Sequence, residues 1–206
     1  ILAGPAVAKG IVCVPSVDTK IYGIDASSGS IIWTVQGENL FQSQVATDGE
    51  HFFVGGWDNF FRCIDASSGK ELWKLELGRK QAQFKNFSQF ACAITAPAVG
   101  DGKVFISTDD GILHALSIDD GHELWHVNWL RMGYSSPLYR NGFVYCALSD
   151  EGKTFCVDAS TGEMRWIADT GSVIYDSSFA YGGGRLFIGC VNGVLSSINA
   201  ADGRVM

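Results

Sequence analysis

The sequence predicts an all-β fold, a β-propeller of four-stranded antiparallel blades, and three observations carry the prediction. A glycine recurs at Gly29, Gly69, Gly121, Gly162 and Gly203, at intervals of 40, 52, 41 and 41 residues. Four positions after the first four of these stand Trp33, Trp73, Trp125 and Trp166. Between them, short runs rich in Val, Ile, Phe and Trp alternate with Gly, Asp and Asn, and no stretch carries a long helical period. Four strands in a period of this length fall in the propeller range, whereas β-helices have shorter coils and leucine-rich repeats show a leucine ladder.

The third unit shows the elements in order. ITAPAV leads to a GDG turn, then KVFIST, a DDG turn, ILHALSI, a second DDG turn and HELWHV. Asp-Gly and Asn-Gly suit tight hairpins because they tolerate positive φ. Other slots recur with the same phase. Four before the glycine stand Asp25, Asp65, Ser117, Asp158 and Asn199; sixteen before it, Cys13, Phe53, Phe105, Cys146 and Phe187. About twenty before it lies a second turn glycine: Gly10, Gly49, Gly102, Gly142 and Gly184. These slots divide a single domain, 1–206, into blade 1 at 1–37, blade 2 at 38–77, a connection bearing an insertion at 78–95, blade 3 at 96–128, blade 4 at 129–170 and an incomplete blade 5 at 171–206.

Each slot has an expected job. The aspartate precedes a Ser-Ser-Gly or Ser-Thr-Gly turn, where its carboxylate accepts backbone N–H bonds, and the glycine permits a left-handed backbone. The tryptophan, on the outer strand, is expected to pack flat over a neighbouring blade rather than stack a sugar or cofactor, because a binding site needs its ring in one place and not four. Hence Trp33, Trp73, Trp125, Trp166, Asp25, Asp65, Asp158 and the five glycines are read as structural docking residues.

Composition narrows the function classes. The chain is 47% hydrophobic, enough for a core, and its net charge of −7 argues against a nucleic-acid groove, which needs a clustered basic face. No apolar run approaches the roughly 18 residues of a membrane-spanning helix, so no membrane insertion is expected.

The pattern D-A-S-[ST]-G-x-x-x-W, closest in IDASSGKELW, resembles the pyrroloquinoline-quinone-type repeat with its tryptophan-docking motif, over nearly the whole chain. The resemblance implies a propeller of about eight blades. It also implies one of three roles: a quinoprotein dehydrogenase holding quinone and calcium on the propeller axis, a non-enzymatic scaffold like the outer-membrane-assembly lipoprotein propeller, or a sensor domain attached to another enzyme. The dehydrogenases typically carry two adjacent cysteines beside the quinone, and this chain has no Cys-Cys pair and no C-x-x-C-H haem site.

Other chemical motifs dissolve into the repeat. His122-Glu123-Leu124-Trp125-His126 matches H-E-x-x-H, which holds zinc only on a helix, where i and i+4 share a face. Here it is the fourth strand of a unit, and four strand steps set the imidazoles roughly 13 Å apart, too far for one zinc at about 2.1 Å from each nitrogen. Ser67-Ser68-Gly69-Lys70 is a repeat turn, and Asp109-Asp110 and Asp150-Glu151 are hairpin tips read as solvated. No metal site and no catalytic residue are assigned.

Of the six cysteines, Cys13 and Cys146 share one slot and Cys63 and Cys156 another, slots that elsewhere hold Phe or small residues. They read as buried free thiols, which leans toward a reducing compartment, whereas the resemblance leans periplasmic or secreted. The long interval between Gly69 and Gly121 comes from Gly78 to Thr95, which mixes Arg79, Lys80 and Lys85 with Phe84, Phe87 and Phe90 and contains the sequon Asn86-Phe87-Ser88. A cationic aromatic insertion in an acidic repeat protein is the expected partner-binding loop. The reading is therefore a non-enzymatic propeller that binds a protein partner, with no cofactor; quinone and calcium enter only under the dehydrogenase alternative. The tryptophan of the fifth unit falls due one position beyond Met206, so further blades, roughly one to three, are expected in a longer chain.

Overall fold

A computed structural model describes residues 3–77, 95–108, 111–128, 135–149, 151–174 and 177–206. Every element assigned among them is a strand. The strands form five antiparallel sheets whose members follow one another in chain order. The first sheet joins β1 (Ala6–Ala8), β2 (Ile11–Pro15), β3 (Lys20–Asp25) and β4 (Ile31–Gln36). The second joins β5 (Ala46–Thr47), β6 (His51–Gly55), β7 (Phe60–Asp65) and β8 (Glu71–Glu76), and the third β9 (Ala98–Gly100), β10 (Lys103–Ser107), β11 (Ile112–Ser117) and β12 (Glu123–Asn128). The fourth joins β13 (Leu138–Arg140), β14 (Phe143–Leu148), β15 (Lys153–Asp158) and β16 (Met164–Asp169). The fifth has β17 (Ala180–Gly182), β18 (Arg185–Gly189) and β19 (Leu195–Asn199), and a single bridge from Ile198 to Val205.

The short first strands pack side by side, β1 by β5, β5 by β9 and β9 by β13. They line the inner end of each sheet, and β4, β8, β12 and β16 form the outer edges. This is the blade arrangement of a β-propeller.

The turn chemistry explains why each unit closes alike. The Gly29 amide donates to the Asp25 carbonyl, and Gly69, Gly121, Gly162 and Gly203 repeat the bond to Asp65, Ser117, Asp158 and Asn199. All five glycines have φ between 70° and 75°, a region costly for other L residues. A second backbone bond ties this turn to the first hairpin: Ala26 N–H to Gly10 O, Ala66 to Glu50, Ile118 to Gly102, Ala159 to Gly142 and Ala200 to Gly184. A bulge between the third and fourth strands recurs at Gly23/Ile24, Cys63/Ile64, Ala115/Leu116 and Cys156/Val157. It offsets the outer strand next to each tryptophan.

The core consists of layers between blades. Cys13, Ile21 and Trp33 of the first sheet pack with Phe52, Val54 and Ile64 of the second. Phe53, Phe61 and Cys63 pack with Val104, Ile106 and Leu116, Phe105, Leu113 and Ala115 with Val144, Cys146 and Val157, and Tyr145, Cys156 and Trp166 with Leu186, Ile188 and Ile198. Because the second and third strands of a blade are covered on both faces, they read as near-continuous apolar runs.

The register corrects one slot assignment. Cys13, Phe53, Phe105 and Phe187 pair with Gly23, Cys63, Ala115 and Ser197, but in the fourth blade it is Tyr145, not Cys146, that pairs with Cys156. From Lys103 to Ile112 is nine steps, and from its equivalent Phe143 to Lys153 ten. The extra residue turns Cys146 toward the third blade and Tyr145 toward the fifth.

Candidate functional site

The groups singled out by the repeat meet at the junctions between blades. Trp33 Nε1 donates to the carbonyl of Ala66 at 3.1 Å, Trp73 to Ile118 at 2.7 Å, Trp125 to Ala159 at 3.2 Å and Trp166 to Ala200 at 3.0 Å. Each acceptor lies three residues before the turn glycine of the next unit. That glycine lies under the indole: a Cβ on Gly69 would sit 2.5 Å from Trp33, and on Gly121, Gly162 and Gly203 2.6, 2.9 and 2.7 Å from Trp73, Trp125 and Trp166. Among the described residues none lies within 4 Å of a Cβ placed on Gly29, the turn glycine of the first unit. Trp33 and Trp166 are buried and Trp73 and Trp125 half-buried. Rings lie beside each indole, with Trp33 6.2 Å from Phe52, Trp125 5.8 Å from Phe105 and Trp166 5.9 Å from Tyr145.

The turn aspartates are spent locally. The Asp25 carboxylate accepts bonds from the Ser27 hydroxyl and the amides of Ser27 and Ser28, which hold its pKa down at about 2. Asp65 is held low by the Ser68 hydroxyl and amide, and Asp158 by the Ser160 hydroxyl and Arg165. A carboxylate that accepts several bonds favours its charged form.

A second latch, nearer the axis, has no counterpart in the sequence reading. Three residues before each first strand stand Ala3, Ser43, Thr95, Ser135 and Ser177. The Ser43 hydroxyl donates to Thr95 O at 2.9 Å, and the Ser135 hydroxyl to Ser177 O at 2.9 Å, each one blade onward. Thr95 Oγ1 donates to Ser107 O, and the Ala96 amide to Ser136 Oγ. Ser43, Thr95 and Ser135 are buried, so these bonds form away from water. The signal was present as a hydroxyl before four of the five inner strands, with Ala3 before the first, but Ser and Thr are common and the insertion displaces one copy.

Arg62 is the largest fully buried side chain among the described residues. Its guanidinium pairs with both Asp58 oxygens and with Glu71 Oε2 at 3.2 Å, between the rings of Phe41 and Phe60. Asp58 also accepts the Glu38 amide at 3.2 Å, so the cluster ties the connection after the first blade to the second. His122 and His126 serve different carboxylates: His122 Nδ1 meets Asp120 at 2.6 Å and His126 Nδ1 meets Glu123 at 2.7 Å, with His114 on the other Glu123 oxygen at 2.6 Å. Among the described residues no three His, Cys, Asp or Glu side chains converge as a metal site.

Cys13, Cys63, Cys146 and Cys156 are buried free thiols and Cys190 a half-buried one. Burial pushes Cys63 and Cys156 up to about 12 and raises Cys13 and Cys146 as well. The leaning toward a reducing compartment does not survive this geometry. A thiol sealed in a core and kept protonated stays reduced in either compartment. The candidate loop residues Arg79, Lys80, Phe84, Lys85, Phe87 and Phe90, with Asn86 and the tip residues Asp109, Asp110 and Asp150, lie outside the described residues; Glu151 pairs with Lys153 at 2.9 Å.

Comparison with known proteins agrees with this geometry. The family model for the outer membrane protein assembly factor BamB matches residues 1–88 and 109–206. The factor of that name from Yersinia pestis is 24% identical over 200 residues, covering 91% of this chain and 48% of its own. The crystal structure of BamB from Moraxella catarrhalis superposes with a TM-score of 0.81 at 22% identity, over 99% of this chain and 59% of that one. The quinohemoprotein alcohol dehydrogenase of Comamonas testosteroni superposes at 0.78 with 15% identity, over 100% of this chain and 42% of that one, a likeness of fold. The chain spans about half the length of the Yersinia relative.

Proposed function

The chain belongs to the family of the outer membrane protein assembly factor BamB, and from that premise we propose that it is a non-enzymatic propeller that binds protein partners in the assembly of outer membrane proteins. The observation that carries the reading is the family match across both halves of the chain, together with the near-complete superposition on a BamB crystal structure. The chemistry of the repeat supports it. The indoles, hydroxyls and turn carboxylates that recur from blade to blade are engaged with neighbouring blades or with their own turns. On this reading the protein works in the cell envelope, on the periplasmic side of the outer membrane. The partner is met in part through 78–95, whose Arg79, Lys80 and Lys85 complement an acidic surface and whose Phe84, Phe87 and Phe90 supply apolar anchors.

The test is functional replacement. Expression of the protein in a bacterium deprived of its own factor of this family should restore the level of assembled outer membrane proteins. Reversing Arg79, Lys80 and Lys85 to Glu should lower that restoration without changing the melting temperature. The reading fails if the protein gives no restoration and instead binds pyrroloquinoline quinone with calcium, seen as a shift in quinone absorbance and a rise in melting temperature.

A further inference from the structure

The four outer strands differ in how they guard their open edges. β8 carries Glu71, Lys74 and Glu76, β12 Glu123 and His126, and β16 Arg165 and Asp169, whereas β4, Ile31–Gln36, reads IIWTVQ with no charge. Charged residues on edge strands are the usual defence against pairing with another chain. All four strands expose apolar side chains, Leu72 on β8, Leu124 on β12 and Ile167 on β16, but on β4 Ile31, at 61%, and Ile32, at 50%, have no charged residue of the same strand beside them.

Its backbone is open to a partner. β4 is the last strand of its sheet. The Gly37 amide donates to Thr19 O, and Val35 and Trp33 pair with Ile21 and Gly23, so Gly37, Val35 and Trp33 turn their polar backbone inward. By the alternation of an antiparallel ladder, Thr34 and Gln36 direct their N–H and C=O groups outward. The Gln36 amide folds back on Thr19 and on the Gly37 carbonyl, which leaves that edge uncovered by its own side chain.

Charge selects the occupant. One end of β4 follows Asp25; the other lies beside Asp18, Lys20 and Glu38. Both ends are net negative. Two copies pairing β4 antiparallel would bring the Asp25 end of each against the acidic end of the other, and like charges across a strand pair destabilise it. We propose that β4 is a docking edge that takes up, as an added strand, an extended segment of another protein with alternating apolar residues and basic residues at an end. The inference rests on the protein-binding reading above and names a surface separate from 78–95.

A fluorescent ten-residue peptide alternating Val and Thr, with two terminal Lys, is a suitable probe, read by anisotropy and by amide hydrogen exchange. It should bind and slow exchange at Thr34 and Gln36. Ile32→Lys should weaken binding roughly tenfold through a charge on the edge, and the same substitution at Leu72 should not. Thr34→Pro removes an outward N–H without touching the ladder and should weaken binding similarly, which covers the case of an Ile32→Lys protein that fails to fold. Replacing the peptide lysines by Glu should also weaken binding roughly tenfold. The inference is overturned if a peptide with a central proline binds equally well, if protection falls elsewhere, or if the unliganded protein forms a dimer that itself protects Thr34 and Gln36. Restoration of outer membrane assembly by the unaltered protein, with its β4 silent toward the peptide, would sink this inference and leave the proposed function standing.

Discussion

Trp33 reaches out of its own sheet to donate its indole N–H to the carbonyl of Ala66, 3.1 Å away in the next blade, while its ring covers Gly69. One side chain thus supplies area, a buried hydrogen bond and a shape constraint at a single junction. Trp33→Ala should cost about 3–5 kcal/mol, the range for truncating a buried aromatic. Denaturant unfolding measures it, and a loss below about 1 kcal/mol would remove Trp33 from the docking role.

The turn glycines offer an internal control. Gly142 and Gly69 both have a left-handed backbone, φ 80° and 70°, but only Gly69 has a ring above it. Gly142→Ala should cost about 1–2 kcal/mol, for the left-handed backbone alone. Gly69→Ala should cost a further 1–3 kcal/mol or so, because its Cβ displaces the indole. Equal losses would show that the ring does not rest on the turn.

Arg62 and Asp58 are almost wholly withdrawn from water. Arg62→Ala leaves a buried carboxylate without its cation and should cost about 3–5 kcal/mol. Replacing Arg62 by Met and Asp58 by Leu together should recover much of that loss. The comparison of single and double variants by thermal unfolding checks it.

Asp25 and Asp120 are held at about 2, Asp25 chiefly by the Ser27 hydroxyl and Asp120 chiefly by His122. A carboxyl depressed in the folded state stabilises it above its ordinary range, and that stability is lost as pH falls through the folded value. Acid destabilisation should therefore run from about pH 4 to about pH 2. Asp25→Asn should flatten the dependence of melting temperature on pH within that window, and carboxyl NMR titration should place Asp25 below its ordinary range.

Thiol reagents should discriminate by burial. Cys190, half-buried with its sulfur 3.5 Å from Ser196 Oγ, should label in the native protein. Cys13, Cys63, Cys146 and Cys156 should label only on unfolding, because the thiolate is the reactive form and burial suppresses it. Peptide mass mapping separates the sites, and rapid native labelling of Cys146 would contradict its burial.

The recurrence of an indole four residues after a turn glycine was legible in the sequence; the acceptor three residues before the next glycine was not, because a backbone carbonyl carries no residue type. The Arg62 cluster was not legible. The slot seven before the glycine holds Tyr22, Arg62, His114, Phe155 and Ser196, so no residue type repeats, and the pairing with Asp58 and Glu71 depends on packing across a hairpin and a bulge. The displaced Cys146 shows the other weakness. Counting back from a glycine assumes hairpins of equal length, and one added residue between Leu148 and Lys153 reverses which face every earlier side chain of that strand presents. Of the insertion, residues 78–94 lie outside the described residues, and its role stays with the proposed function.

The latches run one way along the chain: a donor in one unit, a receptor in the next. Each unit is thus plug and socket at once, joined head to tail by the kind of contact that closes into a ring when the rotation per unit allows. A tandem duplication of one whole period would arrive with both fittings already cut to match its neighbours. Gene-level copying of blades could then lengthen the array without redesigning any joint. An insertion of two or three residues inside a glycine turn, far smaller as an edit, would spoil the socket itself and uncouple the preceding blade.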